Sequence, residues 1–211
     1  MDIRNTYNFG NRHRFGITLE LPQEKKWHQG SYLWGSVCYW IFGRCIGDMQ
    51  YGISLSSDLW GEMEFIIKNK TERKPNQSLF YADGNKIFQY YEEDYENPSV
   101  ESLNLIKENQ SDIIDLFDFW RAHRISLELD IMEEYIIFLF NYDSQERLVI
   151  GEPDHNKKCW NFQSDYFLPG GEVDAVLLEA FDWLRERYTD ECNTESLSKK
   201  FETPRANDRI T

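Results

Sequence analysis

The stretch Trp34–Leu55, WGSVCYWIFGRCIGDMQYGISL, decides how this chain folds. It opens with a dense aromatic and β-branched run: Trp34, Val37, Tyr39, Trp40, Ile41 and Phe42. That is the composition of a strand on a half-buried sheet. Gly43-Arg44 breaks the run and Cys45-Ile46 resumes it. Gly47-Asp48 and Gly52 give a loop, and Ser54 and Leu55 begin an amphipathic segment. The order is hairpin, loop, helix, with no phosphate loop, metal-ligand spacing or nucleophile elbow inside it.

On the N-terminal side, Phe15, Ile17, Leu19 and Leu21 alternate with small or polar residues, a half-buried strand closed by Pro22. Residues 1–12 are polar and read as a flexible segment. On the C-terminal side, Leu55, Leu59, Met63, Ile66 and Ile67 recur at helical spacing, and Gly61 among them marks a point of close packing. Residues 68–78 read as a basic polar loop. Asp83 is placed to cap a helix over residues 85–95 with Ile87, Tyr90, Tyr91 and Tyr95 inward. Asp83-Gly84 is also a hairpin dipeptide, so both forms stay open, with the Glu-rich end favouring the helix. Another helix spans residues 111–121, with Ile113, Ile114, Leu116, Phe117, Phe119 and Trp120 inward.

Ile125, Leu127, Leu129 and Ile131 alternate at period two. Tyr135–Tyr142 is nearly all apolar, as in a strand covered on both faces. Residues 143–146 turn and Arg147–Ile150 returns, completing an antiparallel meander. The last helix follows Pro169-Gly170-Gly171, with Val173, Val176, Leu177, Ala180, Phe181, Leu184 and Tyr188 on one stripe. Glu172 and Asp174 sit at its positive end, Arg185 and Arg187 at its negative end. Residues 189–211 read as a disordered tail. The sum is one α+β domain over residues 13–188. A mainly antiparallel sheet has strands near 13–21, 32–42, 44–49, 123–131, 134–142 and 146–151. About four helices near 54–68, 84–95, 111–121 and 172–188 cover it.

The chain has 211 residues, enough to bury about 70% of its unfolded surface in one core, so it needs no metal or disulfide to fold. Its 23 basic residues against 37 acidic ones leave a net charge of −14, which argues against nucleic acid and anionic membranes as partners and favours a basic protein. Cys38, Cys45, Cys159 and Cys192 show no metal spacing and read as reduced thiols in a β-rich core, with Cys38 and Cys45 facing each other across the hairpin. The N-terminal residues lack a signal-peptide core, and no apolar run is long enough to span a bilayer. The expected compartment is the cytoplasm.

No chemistry-bearing constellation emerges. His13, His28, His123 and His155 do not form a zincin pair, and His123 beside Trp120 reads as structural. No serine lies in GxSxG and no glycines form GxGxxG. The many carboxylates leave a carboxylate-based hydrolase conceivable but without a pair at defined spacing. No catalytic, cofactor or metal residue is assigned. The one zone with binding character is acidic and aromatic: Tyr90, Tyr91, Glu92, Glu93, Asp94, Tyr95 and Glu96, then Asp112, Asp115 and Asp118. Carboxylates there would meet partner Lys and Arg while the rings supply buried area; a solvated helix face is the plainer reading of the same residues.

The pattern Trp34-Gly35-x-x-Cys38-Tyr39-Trp40-Ile41-x-Gly43-x-x-Ile46-Gly47-Asp48, continuing to Gly52-x-Ser54-Leu55, resembles the immunity protein 42 family of bacterial polymorphic toxin systems. His123-Arg124-Ile125-Ser126, Arg147 and Gly170-Gly171-Glu172-Val173-Asp174 are similar to later parts of that family, so the resemblance covers about residues 13–188. It implies an α+β, non-enzymatic protein that binds a cognate toxin domain and blocks it, as a monomer or weak homodimer. The shared residues are mostly apolar or glycine and hold the fold, so the toxin-binding surface lies elsewhere. The alternatives are an enzyme of another type and a scaffold that self-associates through its aromatics.

Overall fold

The computed structural model describes residues 4–22, 34–49, 52–54, 58–96, 116–127, 132, 134–157 and 159–192. In chain order the elements are β1 (Arg4–Gly10), β2 (Phe15–Pro22), β3 (Trp34–Ile41), β4 (Arg44–Ile46), β5 (Ile53–Ser54), α1 (Trp60–Lys68), α2 (Gln77–Phe80), α3 (Gly84–Glu96), α4 (Leu116–His123), β6 (Ile136–Tyr142), β7 (Gln145–Asp154), β8 (Cys159–Pro169) and α5 (Glu172–Cys192). The strands form two antiparallel sheets where one was expected. The first runs β1-β2-β3-β4, with β5 also on β3; the second runs β6-β7-β8.

The expected flexible N-terminus is instead strand β1 from Arg4 onward, paired with β2 along its whole length. Tyr7 and Phe9, two residues apart and therefore on one face, pack on Trp183 of α5 at ring separations of 4.3 and 5.7 Å. The turn between β3 and β4 is a two-residue hairpin in which Phe42 (φ 49°) and Gly43 (φ 84°) both adopt left-handed backbone. That is the geometry that matches strand twist, and it is one a glycine accepts and a phenylalanine resists. Cys38 is buried beside the exposed Cys45, both free thiols; burial first, then the neighbouring Cys45 thiol, pushes the Cys38 thiol pKa up.

Two cores lie on the two faces of the second sheet. One joins Ile17, Leu19, Val37 and Tyr39 of the first sheet to Ile137, Leu139, Leu148 and Ile150, with Met63 and Ile66 of α1 and Leu177 and Leu184 of α5. The other packs Leu79 and Phe80 of α2, Ile87 and Phe88 of α3, and Phe119 and Trp120 of α4 on Ile136, Phe138, Phe140 and Val149. The apolar run through β6 is thus covered on both sides, as read from sequence.

Four expectations change. The strand near 123–131 is reduced, among the described residues, to one bridge between Arg124 and Phe138, because α4 continues through His123 and the chain bends at Ser126; residues 128–131 lie outside the described residues. Gly61 faces open space rather than a packed neighbour. The basic loop after α1 contains helix α2, capped by Asn76, whose Oδ1 accepts from Leu79 N at 2.9 Å. The last helix runs past the expected 188 to Cys192, so Arg185 and Arg187 precede its last turn, which holds no basic residue; residues 193–211 lie outside the described residues.

Candidate functional site

Residues 83–96 are the helix rather than the hairpin. The Asp83 carboxylate accepts from Asn85 N at 2.9 Å and from Asn85 Nδ2 at 3.1 Å, bonds that hold its carboxyl below the usual range. The start of α3 is pressed onto β8: a Cβ at Gly84 would lie 2.2 Å from the Phe162 ring. One turn on, Phe88 fills the space that Gly151 of β7 leaves open, at 2.3 Å from the position of an added Cβ. Ile87, Phe88 and Tyr90 are buried, and Tyr91 packs edge-on against Trp120 and Phe138.

The structure therefore divides the acidic and aromatic zone. Tyr90, 7% exposed, belongs to the core and offers no contact surface; Tyr91 is half-buried beside it. Glu92 accepts a hydrogen bond from the backbone N–H of Trp160, tying α3 to the edge of β8. Glu93, Asp94, Tyr95 and Glu96 form the last turn of α3, their side chains outside the description. Asp118 is exposed on α4, which packs against α3. Asp112 and Asp115 lie outside the described residues. What remains is an acidic helix end with Asp118 on the adjoining helix. Glu93, Asp94 and Glu96 fall in the last turn of α3, at the negative end of the helix dipole, and that turn holds no basic residue; the last turn of α5, with Asp190 and Glu191, shares the pattern.

The other convergence of charge is internal, and sequence reasoning missed it because Arg73 sits in a run of loop lysines. Arg73 is fully buried and pairs with Asp174 at 2.5 Å. Burial pushes its guanidinium pKa down, opposed by Asp174 and Glu146. Glu146, also fully buried, accepts from Val173 N at 2.8 Å and so caps α5; burial pushes its carboxyl pKa up. Glu172 pairs with Arg14. His123 is buried, its Nδ1 on Phe119 O at 2.9 Å and its ring against Phe119 and Phe140. Burial drives its pKa down to about 3, so it stays neutral, the structural role expected of it. Nε2 of His123, Oε1 of Glu146 and Nε and Nη1 of Arg73 have no partner, the pattern that ordered internal water fills.

Among the described residues no three His, Cys, Asp or Glu side chains converge as metal ligands. A shallow crevice between α1 and α4, lined by Glu62, Phe65, Ile66, Arg121, Arg124 and Ser126, has room for about one water. No helix of the described residues is long and apolar enough to cross a membrane.

Two antiparallel sheets enclosing one core and a helical layer over the second define a small α+β protein. The chain belongs to the immunity protein 42 family, which matches residues 3–183. It is an immunity protein that neutralises a cognate toxin. Its fold is similar to that in the crystal structure of CdiI from Burkholderia dolosa AUO158, at 18% identity and a TM-score of 0.55, covering 84% of this chain and 99% of that one. No curated protein sequence matches the chain.

Proposed function

We propose that the chain neutralises its toxin by occlusion, not by catalysis: the acidic end of α3, with Asp118 beside it, docks on a cationic active site or its rim and shuts out substrate. The observation that supports this is the acid at the wrong end of a helix dipole. Acid at this position opposes the dipole by roughly 0.3–1 kcal/mol per carboxylate at low salt, so keeping Glu93, Asp94 and Glu96 together has a folding cost. Residues that break a local rule in this way are expected at functional surfaces. The same negative field steers a basic partner and speeds encounter. The compartment proposed is the cytoplasm, and the active species a monomer.

The test replaces Glu93, Asp94 and Glu96 by Lys, leaving Glu92 because it holds β8. Association with the cognate toxin domain is followed as a function of salt. The variant is expected to associate about tenfold more slowly at low salt and to show a flatter salt dependence. An unchanged rate with an unchanged slope places the contact elsewhere.

A further inference from the structure

We propose that the toxin-binding surface has a second, aromatic part, a rim around the C-terminal end of β8 built by Phe42, Tyr81, Tyr166 and Phe167; this rests on the occlusion reading above. Among the described residues four large apolar side chains are exposed: Phe42 (41%), Tyr81 (54%), Phe167 (47%) and Leu178 (42%). Three of them meet here. Phe42 stacks on Tyr166 with centroids 4.3 Å apart and planes 11° apart. On the opposite face of the strand, Tyr81 lies over Phe167 at 6.5 Å and 23° and meets Tyr142 edge-on at 6.1 Å. Tyr166 and Phe167 are consecutive, so their side chains point to opposite faces, and β8 is the outer strand of its sheet. The two stacks therefore wrap one sheet edge.

Exposed rings held this firmly have the character of binding anchors: large, rigid, and cheap in entropy to immobilise. The rigidity has a visible source. Arg147 donates to Asp165 Oδ2 from Nε at 2.9 Å and from Nη2 at 2.5 Å, and its Nη1 donates to the carbonyls of Phe80 and Ala82 at 2.6 and 2.7 Å. One guanidinium thus clamps the Tyr81 turn to β8, with its carbon 5.5 Å from the Phe167 ring centre. Phe42 is kept in a left-handed turn position that Asn or Gly would occupy with less strain, so its ring is retained against local preference.

The partner this rim fits is a protein surface carrying Arg or Lys. Ring faces attract cations. Exposed Asp83 lies two residues beyond Tyr81, and exposed Asp143 lies in the turn between Tyr142 and Gln145. Of the neighbouring arginines, Arg14 pairs with Glu172, Arg44 with Glu152 and Arg147 with Asp165, while Arg12 lies over the Trp40 ring and donates to Asn8 Oδ1. A single partner can reach both parts. Helix α3 starts three residues after Tyr81 and ends in the acidic turn, a length of about 20 Å. A standard interface of roughly 800 Å² per partner is wider than that.

The experiment uses the full chain and its cognate toxin domain, with dissociation rate, affinity and salt dependence measured for Tyr81→Ala/Phe167→Ala and for Phe42→Asn. The double variant is expected to bind about 30-fold more weakly, through faster dissociation and with the wild-type salt slope. Phe42→Asn, which keeps the turn and so keeps the chain folded, is expected to bind about fivefold more weakly with an undiminished melting temperature. Wild-type affinity in both variants overturns the rim while leaving the acidic end of α3 standing. If the wild-type chain does not bind the toxin domain, the occlusion reading falls and the rim with it. A concentration-dependent dimer of the wild type that the double variant abolishes makes the rim a self-association surface and also overturns the proposal.

Discussion

At the N-terminus of α5, Glu172 and Asp174 lie at the positive end of the helix dipole, Glu146 caps Val173 N, and Arg14 and Arg73 pair with Glu172 and Asp174. At the C-terminus of α3, Glu93, Asp94 and Glu96 lie at the negative end, with no basic residue in the last turn. Both ends are acidic; the helix dipole favours the charge only at the first. The contrast separates charge that the fold uses from charge that, on the proposal above, meets another molecule, and composition alone cannot make that distinction.

The largest effect that can break this contrast is at the internal end. Arg73→Met leaves Glu146 and Asp174 without their buried cation and is expected to destabilise the chain by about 3–5 kcal/mol in urea unfolding at neutral pH. Adding Glu146→Gln, which keeps an acceptor for Val173 N, should restore part of that loss. A loss under about 1 kcal/mol would mean that the buried network is not what supports α5.

The next effect is a pH dependence. The folded pKa of His123, about 3, lies below its ordinary 6.5, so the fold favours the neutral ring. Its contribution to stability is complete above the unfolded value and is lost as pH falls from about 6.5 toward 3, by about 2–4 kcal/mol. Glu146 works in the opposite sense, since its raised pKa lets the folded chain take up a proton first. Subtracting the profile of His123→Phe from that of the wild type isolates the histidine. A difference that stays flat across the window would show that the ring is not held neutral.

The smallest effect is at the surface end. In the absence of toxin, the Glu93, Asp94 and Glu96→Lys variant should be more stable than wild type by about 1 kcal/mol at low salt, a gain that fades as salt rises. Greater stability with slower toxin association sharpens the contrast; lower stability would erase it.

Much of this was legible in the sequence because apolar side chains alternate with small or polar ones along β2 and recur at helical spacing in α3 and α5. What was not legible has physical causes. β1 is rich in Asn and looks like loop, yet Tyr7 and Phe9 give it one apolar face. β8 hides its alternation behind a bulge: Ser164 pairs with Ile150 but Phe162 with Gly151, so Gln163 is skipped and the two halves of the strand have opposite parity. Arg73 shares its local sequence with exposed lysines, and only the tertiary position of Asp174 and Glu146 draws it inside. At the candidate site the helix and its acids could be read in advance. So could the inward turn of Tyr90. That Glu92 serves β8, and that Tyr81 and Phe167 meet, could not, because each depends on elements far apart in the chain.

Along β7, Leu148, Val149 and Ile150 enter the two cores in turn, the outer two on one side and the middle one on the other. A local opening that strips either face of this strand exposes the other, so the amides of these three residues should exchange with solvent only when the whole chain unfolds. A toxin bound to the surface is then expected to protect both sheets together from proteolysis by mass action, because opening one core also uncovers the strand that the other is built on.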